Sequence, residues 1–232
     1  MELAVTDLAG LRVAIDLGAD RVELCGALEV GGLTPSPELT ARAVREAGGT
    51  GTGVHALVRV RAGGFAYDAD EIAVMVGDVR RLVEAGVDGV VVGALRDGSV
   101  DDAALAALVG AAGPVEVTFH RAVDALADPL GTLGALADAG VGRVLTAGGT
   151  DVASGLDALA RMVAAPGRRV QVMAGGGVTE DVIGALLAIG VDAVHFSAGG
   201  RVSDPSAAAG GYGAHHVTDP ERARRLVELV RG

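Results

Sequence analysis

The sequence is notable first for what it lacks: it has no lysine, no tryptophan, a single cysteine and few aromatic residues. The absence of lysine excludes every reaction that proceeds through a lysine Schiff base. The single cysteine, Cys25, excludes an intramolecular disulfide. Aromatic residues make up 2% of a chain that is 50% hydrophobic, so the core must be built from alanine, valine, leucine and isoleucine.

The chain also lacks a basic stripe and a long hydrophobic run. Its 232 residues carry a net charge of −11 and the arginines are scattered, so we expect no binding to nucleic acid. The N-terminal residues have neither the basic region nor the long apolar region of a signal peptide. No apolar run reaches the ~18 residues that a membrane span needs. These absences predict a cytoplasmic protein that does not enter a membrane.

Four segments of the chain resemble each other, and each joins an amphipathic stretch to an apolar run of strand length. They are residues 17–22, 85–90, 139–144 and 189–194, and each has a glycine where a helix would end. Four further strand candidates alternate with them: Glu2–Thr6, Val54–Val60, Val115–His120 and Val170–Ala174. Eight strands that alternate with helices are typical of parallel βαβ units. The pattern predicts an α/β fold, a single (β/α)8 TIM barrel over residues 1–232, and disfavours an open doubly wound sheet.

Polar residues gather at the predicted carboxyl ends of the strands, where barrels of this type place their active sites. Side chains two residues apart on a strand point the same way, so Arg59 and Arg61 at the end of the third strand are expected to project together to the barrel mouth. The candidate acid–base groups are Glu23, His120 and His195. The candidate ligands of an anion are Arg59, Arg61, Arg121, Thr146, Gly175, Gly176, Ser197 and Gly199. The candidate ligands of a metal ion are Cys25, Glu2 and Met173.

A structural interpretation stands beside the functional one for each of these residues. Glu23 and Arg59 could form an internal ion pair, and the histidines could be hydrogen-bonded core residues. Cys25 could serve core packing alone. Charged residues where strands begin, such as Arg21 and Arg143, are expected to serve stability. The gathering of so many polar groups at one rim favours a ligand site.

Several long motifs resemble those of the CutC family, which is named for copper homeostasis. They span Gly18–Cys25, Gly31–Ser36, Arg59–Tyr67, Val117–Asp124, Arg143–Thr146 and Met173–Gly177. The resemblance runs from residue 1 to about residue 200 and implies a cytoplasmic TIM barrel related to copper, with Cu(I) as the implied ion. It also implies a copper site in which a first-strand cysteine works beside the one that matches Cys25. Ala4 stands at that first-strand position in this chain, so the implied pair of thiolates is incomplete.

Two functions of different classes follow from these residues. The first is copper binding for homeostasis, for which Cys25, Met173, His120 and His195 offer donor atoms. The second is an enzyme that acts on a small phosphorylated or carboxylated metabolite, with an arginine clamp and a His/Glu acid–base pair. A divalent metal held by Glu2, Glu23 and a histidine, and a ligand-sensing barrel without catalysis, are further alternatives. We expect a copper ion or a small anion as the partner, and the sequence is compatible with a homo-oligomer.

Overall fold

A closed barrel of eight parallel strands forms the centre of the protein, in a computed structural model that describes residues 1–203 and 213–232. The strands are β1 (Glu2–Val5), β2 (Arg21–Leu24), β3 (Gly53–Leu57), β4 (Gly89–Val92), β5 (Glu116–Phe119), β6 (Arg143–Thr146), β7 (Gln171–Gly175) and β8 (Ala193–Phe196). Each strand pairs with its neighbours in chain order, and β8 pairs with β1 to close the barrel. The predicted (β/α)8 TIM barrel is confirmed.

Eight α-helices alternate with these strands in the described part of the chain. They are α1 (Leu8–Asp16), α2 (Pro37–Ala47), α3 (Ala69–Glu84), α4 (Asp102–Ala112), α5 (Pro129–Asp138), α6 (Leu156–Val163), α7 (Glu180–Ile189) and α8 (Pro220–Arg231). Six of them begin after a residue whose side chain accepts a hydrogen bond from a backbone N–H of the first turn: Asp7, Ser36, Asp68, Asp101, Asp128 and Asp219. These caps satisfy N–H groups that a helix leaves unpaired, so they fix where the helices start.

The four repeated segments end helices α1, α3, α5 and α7 and lead into the even-numbered strands. The glycine of each repeat has a positive φ, for example +66° at Gly18 and +79° at Gly190. Residues with a β-carbon avoid this left-handed conformation, whereas glycine adopts it at little cost. The repeat therefore stops a helix and turns the chain back into the barrel, as its sequence predicts.

The core is aliphatic, as the shortage of aromatic residues predicts. Leu3, Leu24 and Val90 from the strands pack with Leu11, Leu105 and Leu186 from the helices, and all six are fully buried. Phe119 at the end of β5 adds one fully buried aromatic ring. Burial of this apolar surface is the main source of stability for such a barrel.

One charged side chain crosses the barrel interior. Arg21 begins β2 and is 6% exposed. Its Nη1 donates to Glu116 at 2.6 Å and its Nη2 donates to Thr118 Oγ1 at 3.3 Å. Its Nε lies 2.5 Å from Glu2 Oε2 in an ion pair, although this N–H does not point at the oxygen and makes no directed hydrogen bond. Arg21 thus links β1, β2 and β5 beneath the mouth of the barrel.

Two antiparallel hairpins follow barrel strands. The first pairs Leu95–Arg96 with Ser99–Val100 after β4, and the second pairs Gly199–Ser203 with Ala214–Thr218 after β8. The Ala- and Gly-rich segment 203–214 is predicted to be a loop, and its residues 204–212 lie outside the described residues. The strands on either side of it have no clear sequence signal. Among the described residues, no helix combines the length and the apolar character that crossing a membrane requires.

Candidate functional site at the barrel mouth

A cavity of about 530 Å³, called the mouth cavity below, opens where the strands end. Its volume suits a small organic molecule, since such sites measure roughly 300–1,000 Å³. Seven residues singled out in the sequence line it: Glu23, Arg59, His120, Arg121, Gly176, His195 and Ser197. The fold therefore brings together residues that are more than 170 positions apart between β2 and β8.

Glu2, Glu23 and His195 form a compact group, called the Glu–Glu–His cluster below. One donor atom from each of the three lies within 4.8 Å of the others. His195 Nδ1 is 2.6 Å from Glu2 Oε1, and His195 Nε2 is 3.9 Å from Glu23 Oε2. Closure of the barrel creates the cluster, because β1 pairs with both β8 and β2 and places Glu2 level with His195.

The cluster holds its three groups in unequal protonation states. Burial disfavours the charge on Glu2, but the hydrogen bond with His195 and the charge of Arg21 outweigh burial and lower its pKa to about 2. Burial raises the pKa of Glu23 to about 7, and the charge of Glu2 adds to this rise while His195 opposes it. Burial lowers the pKa of His195, but the hydrogen bond to Glu2 and the charges of both glutamates raise it above its ordinary value. Glu23 therefore exchanges a proton with solvent near neutral pH, and His195 keeps its proton to a higher pH than an ordinary histidine does.

The donor chemistry of the cluster suits a divalent metal ion. Two carboxylates and one imidazole supply oxygen and nitrogen ligands. Glu2 holds His195 through Nδ1, which leaves Nε2 on the side of Glu23. A carboxylate bonded to the second ring nitrogen of a histidine ligand orients the ring in many metal sites.

The two predicted sulfur ligands lie apart from the cavity lining. Cys25 is fully buried against Leu57 and Val91, and its thiol donates one hydrogen bond among the described residues, to the carbonyl oxygen of Val5 at 3.8 Å. Burial raises the pKa of the Cys25 thiol well above its ordinary value. Met173 is fully buried inside the barrel, where its Sδ lies 3.8 Å from Arg21 Nη2. Ala4 does line the cavity, at the position where the resemblance implies a second cysteine.

Arg59 lies in a loop, whereas the sequence predicts that it lies at the end of a strand. Strand β3 ends at Leu57, earlier than the predicted Val60, so Arg59 belongs to the loop that follows. Its guanidinium donates to the carbonyl oxygens of Val30, Gly32 and Gly63. An ion pair with Glu23 is absent from the described residues, so the proposed internal pair does not form.

Arg61 and Arg121 are each paired with a carboxylate. Arg61 is bound by Glu71 and by carbonyl groups of its own loop, and it does not line the mouth cavity. The expectation that Arg59 and Arg61 project together from a strand is wrong, because the strand ends before both. Arg121 lines the cavity, and its Nε donates to Asp124 at 2.8 Å. A β-carbon at Gly176 would lie 2.7 Å from the Arg121 guanidinium, so any other residue there would require this flexible side chain to move.

Three other predicted anion ligands lie next to the lining without forming part of it. The hydroxyl of Thr146 is buried and donates to Asp124. Gly175 ends β7, and a β-carbon there would lie 3.0 Å from the His195 ring. Gly199 begins the second hairpin, and its carbonyl accepts a bond from Arg222. These three residues support the groups that line the cavity.

His120 lines the cavity and has one ring nitrogen without a partner. It caps the short helical turn that follows β5, where its Nδ1 accepts the backbone N–H of Ala122 at 3.1 Å. Its Nε2 is buried and has no partner among the described residues. Burial and the nearby charge of Arg59 lower the pKa of His120 to about 3, so the ring is neutral at neutral pH.

Several cavity residues are not among the candidates predicted at the strand ends, and Arg222 and Phe65 are two of them. Arg222 lines the cavity from the first turn of α8, and Phe65 lines it from the loop after β3. A signal for Arg222 exists, because the helix after the eighth strand must begin at the mouth of the barrel. Phe65 carries no such signal, since only the path of its loop places its ring 4.8 Å from that of His120.

Comparison with known proteins gives a consistent family. The model of the CutC family matches residues 1–200. A CutC family protein of Xanthomonas campestris pv. campestris (strain 8004) is 41% identical over 239 residues, covering 100% of this chain and 98% of the relative. A CutC family protein of Salmonella enteritidis PT4 is 45% identical over 190 residues, covering 81% of this chain and 75% of the relative.

A solved structure agrees with these relatives. The crystal structure of CutC from Streptococcus agalactiae, whose name links it to copper homeostasis, superimposes with a TM-score of 0.80 at 28% identity. The superposition covers 84% of this chain and 97% of that chain. The extent predicted from the motifs, residue 1 to about residue 200, coincides with the family match. The chain belongs to the CutC family.

Proposed function

We propose that this protein serves copper homeostasis in the cytoplasm by binding a divalent copper ion at the Glu–Glu–His cluster. The observation that carries the proposal is the convergence of three donor atoms within 4.8 Å of one another beside the mouth cavity. Glu2, Glu23 and His195 would hold the ion, and copper would be the cargo of the site.

The donor set favours divalent over monovalent copper. Cu(I) prefers thiolate and thioether ligands, whereas imidazole suits Cu(II), which binds N and O sites more tightly than the other divalent metals of its row. The one thiol of the chain is buried, has a raised pKa and lies outside the cavity lining, so Cys25 is poorly suited to be a ligand. The name of the family and this order of affinities favour copper over the other divalent ions.

The test is a titration of metal-free protein with Cu²⁺, followed by calorimetry and electron paramagnetic resonance. We expect one ion per chain and a spectrum with nitrogen and oxygen ligands. Glu23→Gln and His195→Gln should each weaken binding by at least about tenfold, since loss of groups that only support metal ligands already costs about 10–100-fold. Parallel titrations with Zn²⁺, Mn²⁺ and Mg²⁺ measure selectivity.

Two control variants distinguish copper binding at the Glu–Glu–His cluster from binding at other residues that could hold copper. Cys25→Ala should leave the affinity for copper unchanged, because the thiol lies outside the cavity lining. His215→Gln combined with His216→Gln removes two exposed histidines of the second hairpin, which are the obvious place for adventitious copper. Binding that survives Glu23→Gln and His195→Gln but disappears in the hairpin variant would refute the proposal.

A further inference from the structure

We infer that the mouth cavity also binds a small organic anion whose carboxylate or phosphate group lies against Arg59 and His120. This site uses no residue of the Glu–Glu–His cluster and needs no metal ion. Anion binding can therefore be tested independently of the proposed copper site.

Arg59 is a buried cation without a carboxylate partner among the described residues. The residue is 6% exposed and lines the mouth cavity. Its terminal nitrogens donate to the carbonyl oxygens of Val30, Gly32 and Gly63, and its Nε is buried with no partner in the described part of the chain. A buried charge is costly unless an opposite charge accompanies it. An anion in the cavity would supply that opposite charge.

His120 adds a hydrogen-bond donor beside this cation. Its Nδ1 accepts the N–H of Ala122, so the neutral ring carries its proton on Nε2. That Nε2–H is buried and has no acceptor within the described ranges. Buried donors are nearly always paired in native structures, so this one requires an acceptor beyond the described residues, and the oxygen of a bound anion would supply it. Phe65 joins the two groups, with its ring 4.8 Å from that of His120 and 5.5 Å from the Arg59 guanidinium carbon.

The charge of the cavity lining also favours an anionic ligand. Three arginines, Arg59, Arg121 and Arg222, line the cavity together with Glu23. Arg121 is paired with Asp124, whereas Arg59 and Arg222 form no ion pair with a carboxylate among the described residues. The whole chain carries a net charge of −11, so this concentration of cations is a local reversal of sign. A concave site with such a lining focuses positive potential and attracts an anion.

The size and apolar part of the lining favour an anion that carries a carbon skeleton. The cavity measures about 530 Å³, far more than a metal ion or inorganic phosphate fills. Apolar side chains form much of its wall: Leu28, Leu57, Phe65, Leu145, Val178 and Phe196. An apolar wall with a few convergent polar groups is the usual lining of a site for a small organic molecule.

The test uses the full chain, freed of metal with a chelator, and three probes: inorganic phosphate, glycerol 3-phosphate and malate. Comparison of the last two distinguishes a phosphate from a carboxylate source. Isothermal calorimetry is run on wild type and on two substitutions of His120. In His120→Gln, the side-chain amide places an N–H near the position that Nε2 of His120 occupies. In His120→Asn, the shorter side chain keeps an acceptor near the position of Nδ1 and has no donor near that of Nε2.

We expect at least one organic probe to bind wild type and His120→Gln, and to bind His120→Asn about 10–100-fold more weakly, since the Nε2–H bond to a charged group is lost. Arg222→Met should also weaken binding. Arg224→Met, an exposed arginine on the same helix, is the matched control and should leave binding unchanged.

Two results would overturn the inference. One is the absence of binding of both organic probes, glycerol 3-phosphate and malate, to metal-free wild type, whether or not inorganic phosphate binds. The other is a His120→Asn protein that binds as well as His120→Gln, because Asn preserves the capping bond to Ala122 and a purely structural role would favour it. Neither result bears on copper binding, which is measured at the Glu–Glu–His cluster with Cu²⁺ alone.

Discussion

Replacement of Glu23 by glutamine should stabilise the metal-free protein at about pH 8. Glu23 is a buried carboxyl whose pKa rises from its ordinary value of 4.5 to about 7. At about 1.4 kcal/mol for each pKa unit, ionising this group in the folded state costs about 3 kcal/mol. Loss of the attraction between Glu23 and His195, whose charged atoms are 3.9 Å apart, offsets part of the gain. We therefore expect Glu23→Gln to raise the free energy of unfolding by about 1–3 kcal/mol.

The pH dependence of this effect has a definite sign. A carboxyl with a raised pKa binds its proton more tightly in the folded state, so the folded protein is favoured at low pH. That contribution is lost as the pH rises from 4.5 through about 7. Glu2 acts in the opposite sense, because its pKa of about 2 contributes stability that is present above 4.5 and lost at lower pH. The difference between variant and wild type isolates Glu23, since both proteins contain Glu2.

Urea unfolding of metal-free wild type and variant, followed by circular dichroism at several pH values, measures this difference. We expect the gap to be small near pH 4.5, to widen as the pH rises from 4.5 to about 7, and to stay constant at higher pH. Glu84→Gln is the control: this glutamate is exposed at the end of α3 and its replacement should change stability by less than ~0.5 kcal/mol. A Glu23→Gln protein that is no more stable than wild type at about pH 8 would refute the reasoning.

Three further expectations follow from the same contacts. Arg21→Met should lower the free energy of unfolding by about 3–5 kcal/mol, because it removes the guanidinium that is ion-paired with the buried Glu2; a loss below ~1 kcal/mol in urea unfolding would contradict this. The affinity for a divalent metal should rise with pH through about 7, as Glu23 gives up its proton, and a flat calorimetric pH profile would argue against the cluster as the site. Cys25 should resist thiol reagents at about pH 8 until urea unfolds the protein, since it is fully buried and its pKa is raised; rapid labelling of the folded protein would disprove its burial.

A stabilising substitution at Glu23 would identify the cluster as a place where stability is given up for binding. Structural carboxylates are normally kept where their partners lower the pKa, as Arg21 and His195 do for Glu2. The charged form of a buried carboxyl with a raised pKa is instead stabilised when a cation binds beside it, and a divalent metal ion is such a ligand. Such residues are frequent at functional sites.

The local features of the fold follow from the sequence alone. Glycine at the helix ends, aspartate or serine at most helix starts and short apolar runs between them act within a few residues of each other. Their regular alternation predicts eight βα units and thus the barrel, because parallel strands with helical connections have few ways to pack. The motifs from Gly18 to Gly177 predict the family for the same reason: they are contiguous in the chain.

The composition of the site was decided by tertiary structure. Glu2 and His195 are 193 positions apart and meet only because the first and last strands close the barrel. The side on which a strand residue lies is predictable from the period of two, but that rule ends with the strand, and β3 ends before Arg59 and Arg61. Beyond that point the path of the loop sends Arg61 to Glu71 and Arg59 to the mouth cavity. A pattern along the chain predicts which residues can reach a site, whereas the packing of loops and the closure of the sheet determine which of them meet.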